Sequence, residues 1–422
     1  MTKHKKVTKK VQIALGLAAA GLFLGACGSS DSATETSVEA TDTSVTATDC
    51  PAADLVAAGE AEGQVNLITL PDTWANYKGI LQSYRDKYAI KNPVANPDGS
   101  SADELVAVET LAGQPDMPDA VDVSPAFAQE FDTKGLWEPY QPCLWDEIPE
   151  TLKDPDGKWV AAYYGLMAIG ANTTVLTEVP TSFADLKDPM YKGLVSLNGD
   201  PRESGAAFAA VMAAAIANGG SFDDILPGIE YFAELKKSGN LSAADVTAAS
   251  VISGETPLVL DWTYNYPGIA TVLEENGITF QVTVPTDGVY GGYYAQGVVK
   301  NSPHQNASKL WITHLISDEG ALGYIVGGAI PARFDALVAA GKVTPEMMKN
   351  LPDPALTAGI KFPSAEQVAK AKEALTAQWC PLVADKKSRS PRKTVNVTVW
   401  SGMGSLSERA PLGLFVRLRP WL

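Results

Sequence analysis

The stretch QVNLITLPDTWANYKGILQSYRDKY, residues 64–88, decides the fold class. Gln64–Leu70 alternates apolar and polar residues with period two, as a half-buried strand does. Pro71-Asp72-Thr73-Trp74 breaks that run. Ala75–Tyr88 then places Ile80, Leu81, Tyr84 and Tyr88 on one helical face. The unit repeats downstream. Val94–Asn96 reads as a short strand and Asp103–Ala112 as a helix capped by Ser100 or Ser101. Asp119–Val123 reads as a buried strand, with Ser124-Pro125 leading into a helix from Ala126. Upstream, Ala52–Ala61 has helical character and stops at Gly63. Strands alternating with helices predict an α/β chain, and by themselves favour a mostly parallel sheet covered by helices.

Further along, Trp159–Ile169 is a longer strand-like run and Ser182–Asp188 a capped helical turn. Leu194–Leu197 is a strand entering the loop Asn198–Gly205. An Ala-rich helix follows to Gly219-Gly220, too short in its apolar run to span a membrane. Ile225–Lys237 is a helix. Pro257–Leu260 is a strand entering Asp261-Trp262-Thr263-Tyr264, and Phe280–Val284 is a strand back. Tyr290–Val299 is Gly- and Tyr-rich and strand-like. Helices are expected over Ala307–Ile316, from Ser317 to Gly327, and over Ala365–Trp379.

The two ends have a different character. Lys3, Lys5, Lys6, Lys9 and Lys10 precede an apolar run from Val11 to Leu24, the order of a secretory signal. The run closes on Leu24-Gly25-Ala26-Cys27, which resembles a bacterial lipobox. The resemblance implies lipidation of Cys27 and an exported protein anchored to the outer face of the cell membrane. Residues 28–50 are Ser/Thr/Ala-rich and acidic, a composition expected of a flexible tether.

The formal net charge is −16. Five basic residues lie in the leader and eight from Lys386 onward, so the span 28–385 holds 20 basic and 48 acidic residues. Such a body repels nucleic acid and anionic headgroups and favours a cationic ligand; acidity also keeps exported proteins soluble. Apart from Cys27 the cysteines are Cys50, Cys143 and Cys380, which leaves three possible pairings with one thiol over. No two are spaced as a metal or redox C-x-x-C.

Two blocks carry a family resemblance. SFADLKDPMYKGLVSLNGDP, residues 182–201, and GVVKNSPHQNASKLWITHLISDEGALGYIVGGAIPAR, residues 297–333, resemble segments of the extracellular solute-binding proteins of bacterial ABC importers. The subgroup is the one handling polyamines, iron(III), thiamine and phosphonates. The resemblance, over roughly 55–380, implies a two-lobed type II periplasmic-binding-protein fold, each lobe a mixed sheet flanked by helices with a cleft between. It implies lobe 1 over 51–162 plus 285–380, lobe 2 over 163–284, and hinges near Tyr163–Ile169 and Val282–Asp287. The implied partners are a small polar solute and ABC permease subunits, with the chain a monomer. The stretch 381–422 departs from the family. From Met403, MGSLSERAPLGLFVRLRPWL looks like the start of a permease, so a read-through across a gene boundary is one reading and a genuine basic tail the other.

Open α/β sheets bind ligands beyond the carboxyl ends of their strands. That rule selects Asp72, Thr73 and Trp74 after the first strand, and Ser124 after the third. Each has an ordinary alternative as a helix cap or packed ring. Asn198, Asp200, Arg202 and Ser204 lead into a helix N-terminus, where Arg202 and Ser204 suit an anion and Asp200 and Glu203 oppose one. Asp261, Trp262 and Tyr264 form an acidic-aromatic group suited to an organic cation. Tyr290, Tyr293 and Tyr294 are candidates for cleft lining, and adjacent tyrosines also suit iron(III). No nucleophile elbow, P-loop or H-E-x-x-H motif is present. The expected activity is solute capture without catalysis, cofactor or resident metal, with a slight lean to a polyamine-like cation. The alternatives are an exported enzyme on the same scaffold and a receptor for a membrane sensor.

Overall fold

The structure, a computed structural model, describes residues 50–358 and 360–383. The leader, Cys27, residues 28–49 of the expected tether and the tail from 384 lie outside the described residues.

Ten strands run in chain order: β1 (Leu67–Ile68), β2 (Val94–Ala95), β3 (Ala120–Val123), β4 (Trp137–Glu138), β5 (Val160–Asn172), β6 (Val195–Leu197), β7 (Leu258–Trp262), β8 (Phe280–Thr283), β9 (Gly291–Val299) and β10 (Ile330–Pro331). The principal helices before β9 are α1 (Ala53–Glu62), α2 (Tyr77–Tyr88), α3 (Ser101–Thr110), α4 (Pro125–Thr133), α5 (Gly205–Ala217), α6 (Leu226–Ser238), α7 (Ala248–Ser253) and α8 (Tyr266–Glu275). After it come α9 (Gln305–Ile316), α10 (Asp318–Val326) and, past three short helical segments, α11 (Ala365–Leu382). No described helix is long and apolar enough to cross a membrane.

Strand β5 organises the sheet. Its 13 residues span about 43 Å at the usual rise of a strand. Val160–Leu166 pairs antiparallel with β9, and Ile330 and Pro331 of β10 join at Tyr164 and Tyr163. Met167–Ala171 pairs antiparallel with β7, and Ile169–Asn172 with β8. One strand therefore serves both lobes. Lobe 1 adds β3 and β4 beside β9, and the Asp119 N–H donates to the Asn66 carbonyl oxygen, holding the β1–β2 pair against β3. Lobe 2 adds β6 beside β7.

The mixed sheet implied by the family resemblance is present, and the mostly parallel sheet is not. Only β1–β2 and β6–β7 are parallel ladders among the named strands. Both join strands that lie in one lobe with helix between them. Wherever the chain crosses between lobes it returns in the opposite sense, so β5 and β9 pair antiparallel with their neighbours.

Local sequence explains the elements around the cleft. Helix α2 buries Ile80, Leu81, Tyr84 and Tyr88, as the spacing predicts, and adds Tyr77. It starts at Tyr77 rather than Ala75 because Ala75 and Asn76 adopt left-handed backbone, with φ of 46° and 63°. Ser100 caps α3 by accepting the Asp103 N–H, and the Asp103 carboxylate accepts the Ser100 N–H. The Ala-rich α5 is buried from Gly205 to Ala215 and packs against α6 and β7. Helices α7 and α8 are absent from the sequence reading. In α8 the Pro267-Gly268 pair at the start hides the helical spacing that follows. Of the three cysteine pairings, the structure shows Cys50–Cys143, closing 93 residues, with Cys380 a thiol.

Candidate functional site

A cavity of about 1570 Å³ opens between the two halves of the sheet. From lobe 1 it is lined by Thr69, Pro71, Thr73 and Trp74 after β1, by Pro97–Glu104 at the start of α3, and by Asp122 and Tyr294. From lobe 2 come Asn198–Asp200 and Arg202–Ala206, Asp245–Ala248, Asp261, Asn265, Tyr266 and Phe280; Thr376 and Cys380 reach in from α11. The lobes touch around it. The Trp74 ring stacks on Tyr264 at 6.1 Å and meets Tyr294 edge-on at 5.2 Å. A methyl group on Gly268 of α8 would fall 1.7 Å from the Thr73 carbonyl oxygen.

The charged lining is one-sided. Among the described residues Asp98, Asp103, Glu104, Asp122, Asp200, Glu203, Asp245 and Asp261 face a single cation, Arg202. That cation is already engaged. Its Nε donates to Asp200 Oδ1 at 2.9 Å, Nη2 donates to Asp200 Oδ2, and Nη1 lies 2.6 Å from Cys380 Sγ. Burial opposes ionisation of Asp200, yet the Arg202 hydrogen bonds hold its carboxyl below the ordinary range. The α5 N-terminus is similarly occupied. Ser204 accepts the Ala207 N–H and donates to the Asn198 carbonyl. A methyl group on Gly205 would meet Ser124 and Tyr294 of lobe 1 at 2.7 Å.

Asp261 is the penultimate residue of β7 and is 5% exposed. Its Oδ1 accepts from the Trp262 N–H and from Asn265 Nδ2, and its Oδ2 from Asn198 Nδ2, each at 2.8 Å. Burial pushes its pKa up to about 6 against those three hydrogen bonds. Asp122, in the centre of β3, is 7% exposed. Its Oδ2 accepts from Tyr77 Oη at 2.6 Å and Tyr163 Oη at 3.2 Å. Burial raises it too to about 6, with hydrogen bonds from Tyr77, Tyr163 and Gln296 working the other way. Glu104 lies beside it, 1% exposed, and takes the Asp122 N–H on Oε2 at 2.9 Å. Burial raises the Glu104 pKa well above the ordinary value; a hydrogen bond with Thr69 lowers it and the Asp122 charge raises it further.

Of the residues selected from sequence, Thr73, Trp74, Asn198, Asp200, Arg202, Ser204, Asp261 and Tyr294 line the cavity. Asp72 does not: its side chain is exposed and its carbonyl accepts the Lys78 N–H. Ser124 is buried, with its N–H on Ser101 Oγ. Strand alternation accounts for Trp262 and Tyr293, while Tyr264 is buried in the short turn after β7. Asp261 faces the cavity, so Trp262 faces away, stacked on Tyr264 at 5.9 Å and Tyr290 at 6.2 Å. Tyr294 faces the cavity, so Tyr293 faces away, stacked on Trp159 at 5.6 Å. Tyr290 packs edge-on against Phe222. The adjacent tyrosines thus lie on opposite faces of β9. Among the described residues no three His, Cys, Asp or Glu side chains gather as a metal site.

Sequence reasoning missed Glu104, Asp122, Asn265, Asp98, Asp103 and Asp245 at the cavity. One signal was available: an aspartate inside the otherwise apolar strand Ala120-Val121-Asp122-Val123 has to be held by partners when buried.

Two lobes joined by crossing strands around an acidic cavity define a binding-protein architecture. Residues 116–356 match the family described as bacterial extracellular solute-binding protein, and the chain belongs to that family. No curated protein matches the sequence. Among solved structures it is similar to the periplasmic binding protein AfuA from Actinobacillus pleuropneumoniae, with fructose-6-phosphate bound, at 19% identity and TM-score 0.61 over 76% of this chain and 98% of that one. Iron-bound HitA from Pseudomonas aeruginosa matches at 18% identity and TM-score 0.57 over 75% of this chain and 98% of that one. The spermidine/putrescine ABC transporter substrate-binding protein PotD from Streptococcus pneumoniae matches at 16% identity and TM-score 0.51 over 76% and 99%. At these identities the likeness establishes the type II periplasmic-binding-protein fold alone.

Proposed function

We propose that the protein is the receptor of an ABC importer and captures a small organic cation, polyamine-like in charge, between its lobes. The observation that carries the reading is the cavity's charge. Eight carboxylates line it, and its one guanidinium is paired with Asp200. A cation entering beside buried carboxylates recovers part of their desolvation cost, whereas an anion adds to it. Trp74 and Tyr294 supply ring faces or edges beside the same space and give an organic cation apolar and cation–π contact. The fold does not choose the solute, since its relatives carry ligands as different as a sugar phosphate and iron.

In this reading the lobes divide near 162/163 and 284/285, with hinges at Tyr163–Ile169 and Val282–Asp287, and closure presents the loaded receptor to a permease. Lipidation at Cys27 holds a monomer at the outer face of the membrane. A thermal-shift screen against polyamines, amino acids, aminophosphonates, thiamine, sugars and iron(III) tests the solute class. A polyamine or related amine should raise the midpoint, since ligand at 100 times its dissociation constant adds about 2.7 kcal/mol. A shift only with phosphonates or carboxylates rejects the cation. Loss of detergent-phase partitioning in Cys27→Ala tests the anchor; unchanged partitioning rejects it.

A further inference from the structure

The cavity is acidic between the lobes and turns apolar where it runs under the helices of lobe 2. The sheet register sets the order of that change. Along β5, Ala168 pairs with Asp261, Gly170 with Val259 and Asn172 with Phe280. These three levels are each two residues apart, so Asp261, Val259 and Phe280 stand on one face of the sheet, spread over about 13 Å. Helix α8 repeats the step from polar to apolar. Asn265, just before it, donates to Asp261, and Ile269 lies one turn further along the same side. Val246, Val259, Ile269 and Phe280 all line the cavity. Val251, Val259 and Leu273 form a small core apart from the main one, and Val246, Ile269 and Phe280 pack on it. Val251 and Val259 are its buried floor, whereas Val246, Ile269 and Phe280 are half-buried and retain apolar surface. The result is an apolar recess that opens beside Asp261.

We propose that this recess takes an apolar arm of the solute. The ammonium lies beside Asp261, and an uninterrupted alkyl or arylalkyl group runs from it past Val259 toward Phe280. The class is an amine with one apolar arm, any further amine groups branching from the ammonium end. An arm that covers Val246, Ile269 and Phe280 removes its own apolar surface and theirs from water. A hydroxyl or second ammonium at the tip of the arm would be desolvated there among aliphatic side chains, at a cost that lowers affinity. The recess therefore sorts cations by the arm they carry. The inference rests on the cation reading above and adds the shape of the cation.

Calorimetric titration of the purified protein at pH 7.5 separates the two. The probes are ethylamine, n-butylamine, n-hexylamine, 6-amino-1-hexanol, spermidine and hexanoate. Affinity should rise roughly threefold to fourfold per added methylene from ethylamine to n-hexylamine, the gain for a methylene leaving water. By the same rule n-hexylamine should bind about 30-fold more tightly than 6-amino-1-hexanol, whose hydroxyl must enter the recess. Ile269→Ser should weaken n-hexylamine about tenfold and change ethylamine less than about threefold. If n-hexylamine binds no more tightly than ethylamine or 6-amino-1-hexanol while spermidine binds, the recess is rejected and the cation reading stands. Equal weakening of n-hexylamine and ethylamine in Ile269→Ser brings the same rejection. If hexanoate binds as tightly as n-hexylamine, or no amine binds, both fall. Should Ile269→Ser not fold, the wild-type ligand series decides alone.

Discussion

The two walls of the cavity manage negative charge differently. On the lobe 2 wall Asp200 is paired with Arg202, and Asp261 is held by Asn198, Asn265 and the Trp262 N–H. The lobe 1 wall contributes Asp98, Asp103, Glu104 and Asp122 with no lysine or arginine among its lining residues. Its partners are neutral: the Ser100 cap and the Tyr77 and Tyr163 hydroxyls. Neutral donors fix the position of a carboxylate and leave its charge uncompensated. Lobe 2 is therefore preorganised, and lobe 1 carries the unbalanced charge that the proposed cation would meet.

The comparison breaks first at its best-partnered residue. Asp261→Asn removes the charge that three donors orient, and should weaken cation binding about 100-fold, or about 2.7 kcal/mol, by calorimetry. A change under threefold would place the solute elsewhere. The next effect is of pH. Asp122 and Asp261 both titrate near 6 because of burial. Their raised values mean that ligand-free stability from these groups is fully present below the unfolded aspartate value of about 4 and is lost as pH rises through 6. Bound cation needs the charged forms, so affinity moves the other way and should fall roughly tenfold to a hundredfold from pH 7.5 to pH 5.0. Opposite slopes for the unliganded melting temperature and for affinity are the expected signature; parallel slopes would remove these two carboxyls from the site.

A smaller effect sharpens the role of Arg202. Arg202→Gln frees Asp200 and should tighten cation binding roughly threefold, as for a partly exposed ion pair. A loss of binding instead would make the guanidinium part of the site. The smallest is the pair on β9. Tyr293→Phe, on the face away from the cavity, should leave Kd within about twofold, and Tyr294→Ala should weaken it by about 0.5–2 kcal/mol of lost ring contact. Equal effects would deny the two faces.

Much of the scaffold is legible in the amino-acid sequence. The α2 face, the Ser100 cap, the long run that becomes β5 and the late block from Gly297 follow from spacing, capping chemistry and resemblance. Strand direction does not, because it depends on where the chain crosses between lobes, and local alternation is blind to that. The site is legible only in part. Ending the seventh strand at Leu260 treats Asp261, Trp262 and Tyr264 as one loop cluster. The strand runs on to Trp262, and period two sends Asp261 to the cavity and Trp262 to the core. Glu104 and Asp122 meet only through the fold, 18 residues apart in sequence, so neither stands out alone. Arg202 looks like an anion site until its pairing with Asp200 is seen.

The central claim is that the cavity takes a cation. Its most direct test is paired calorimetric titration of the same protein with spermidine and with a size-matched dicarboxylate, glutarate, at pH 7.5 and low salt. The account predicts saturable binding of spermidine, weakened in Asp261→Asn, and none of glutarate. Binding of glutarate without spermidine, lost in Arg202→Gln, would contradict it and move the site to the α5 N-terminus.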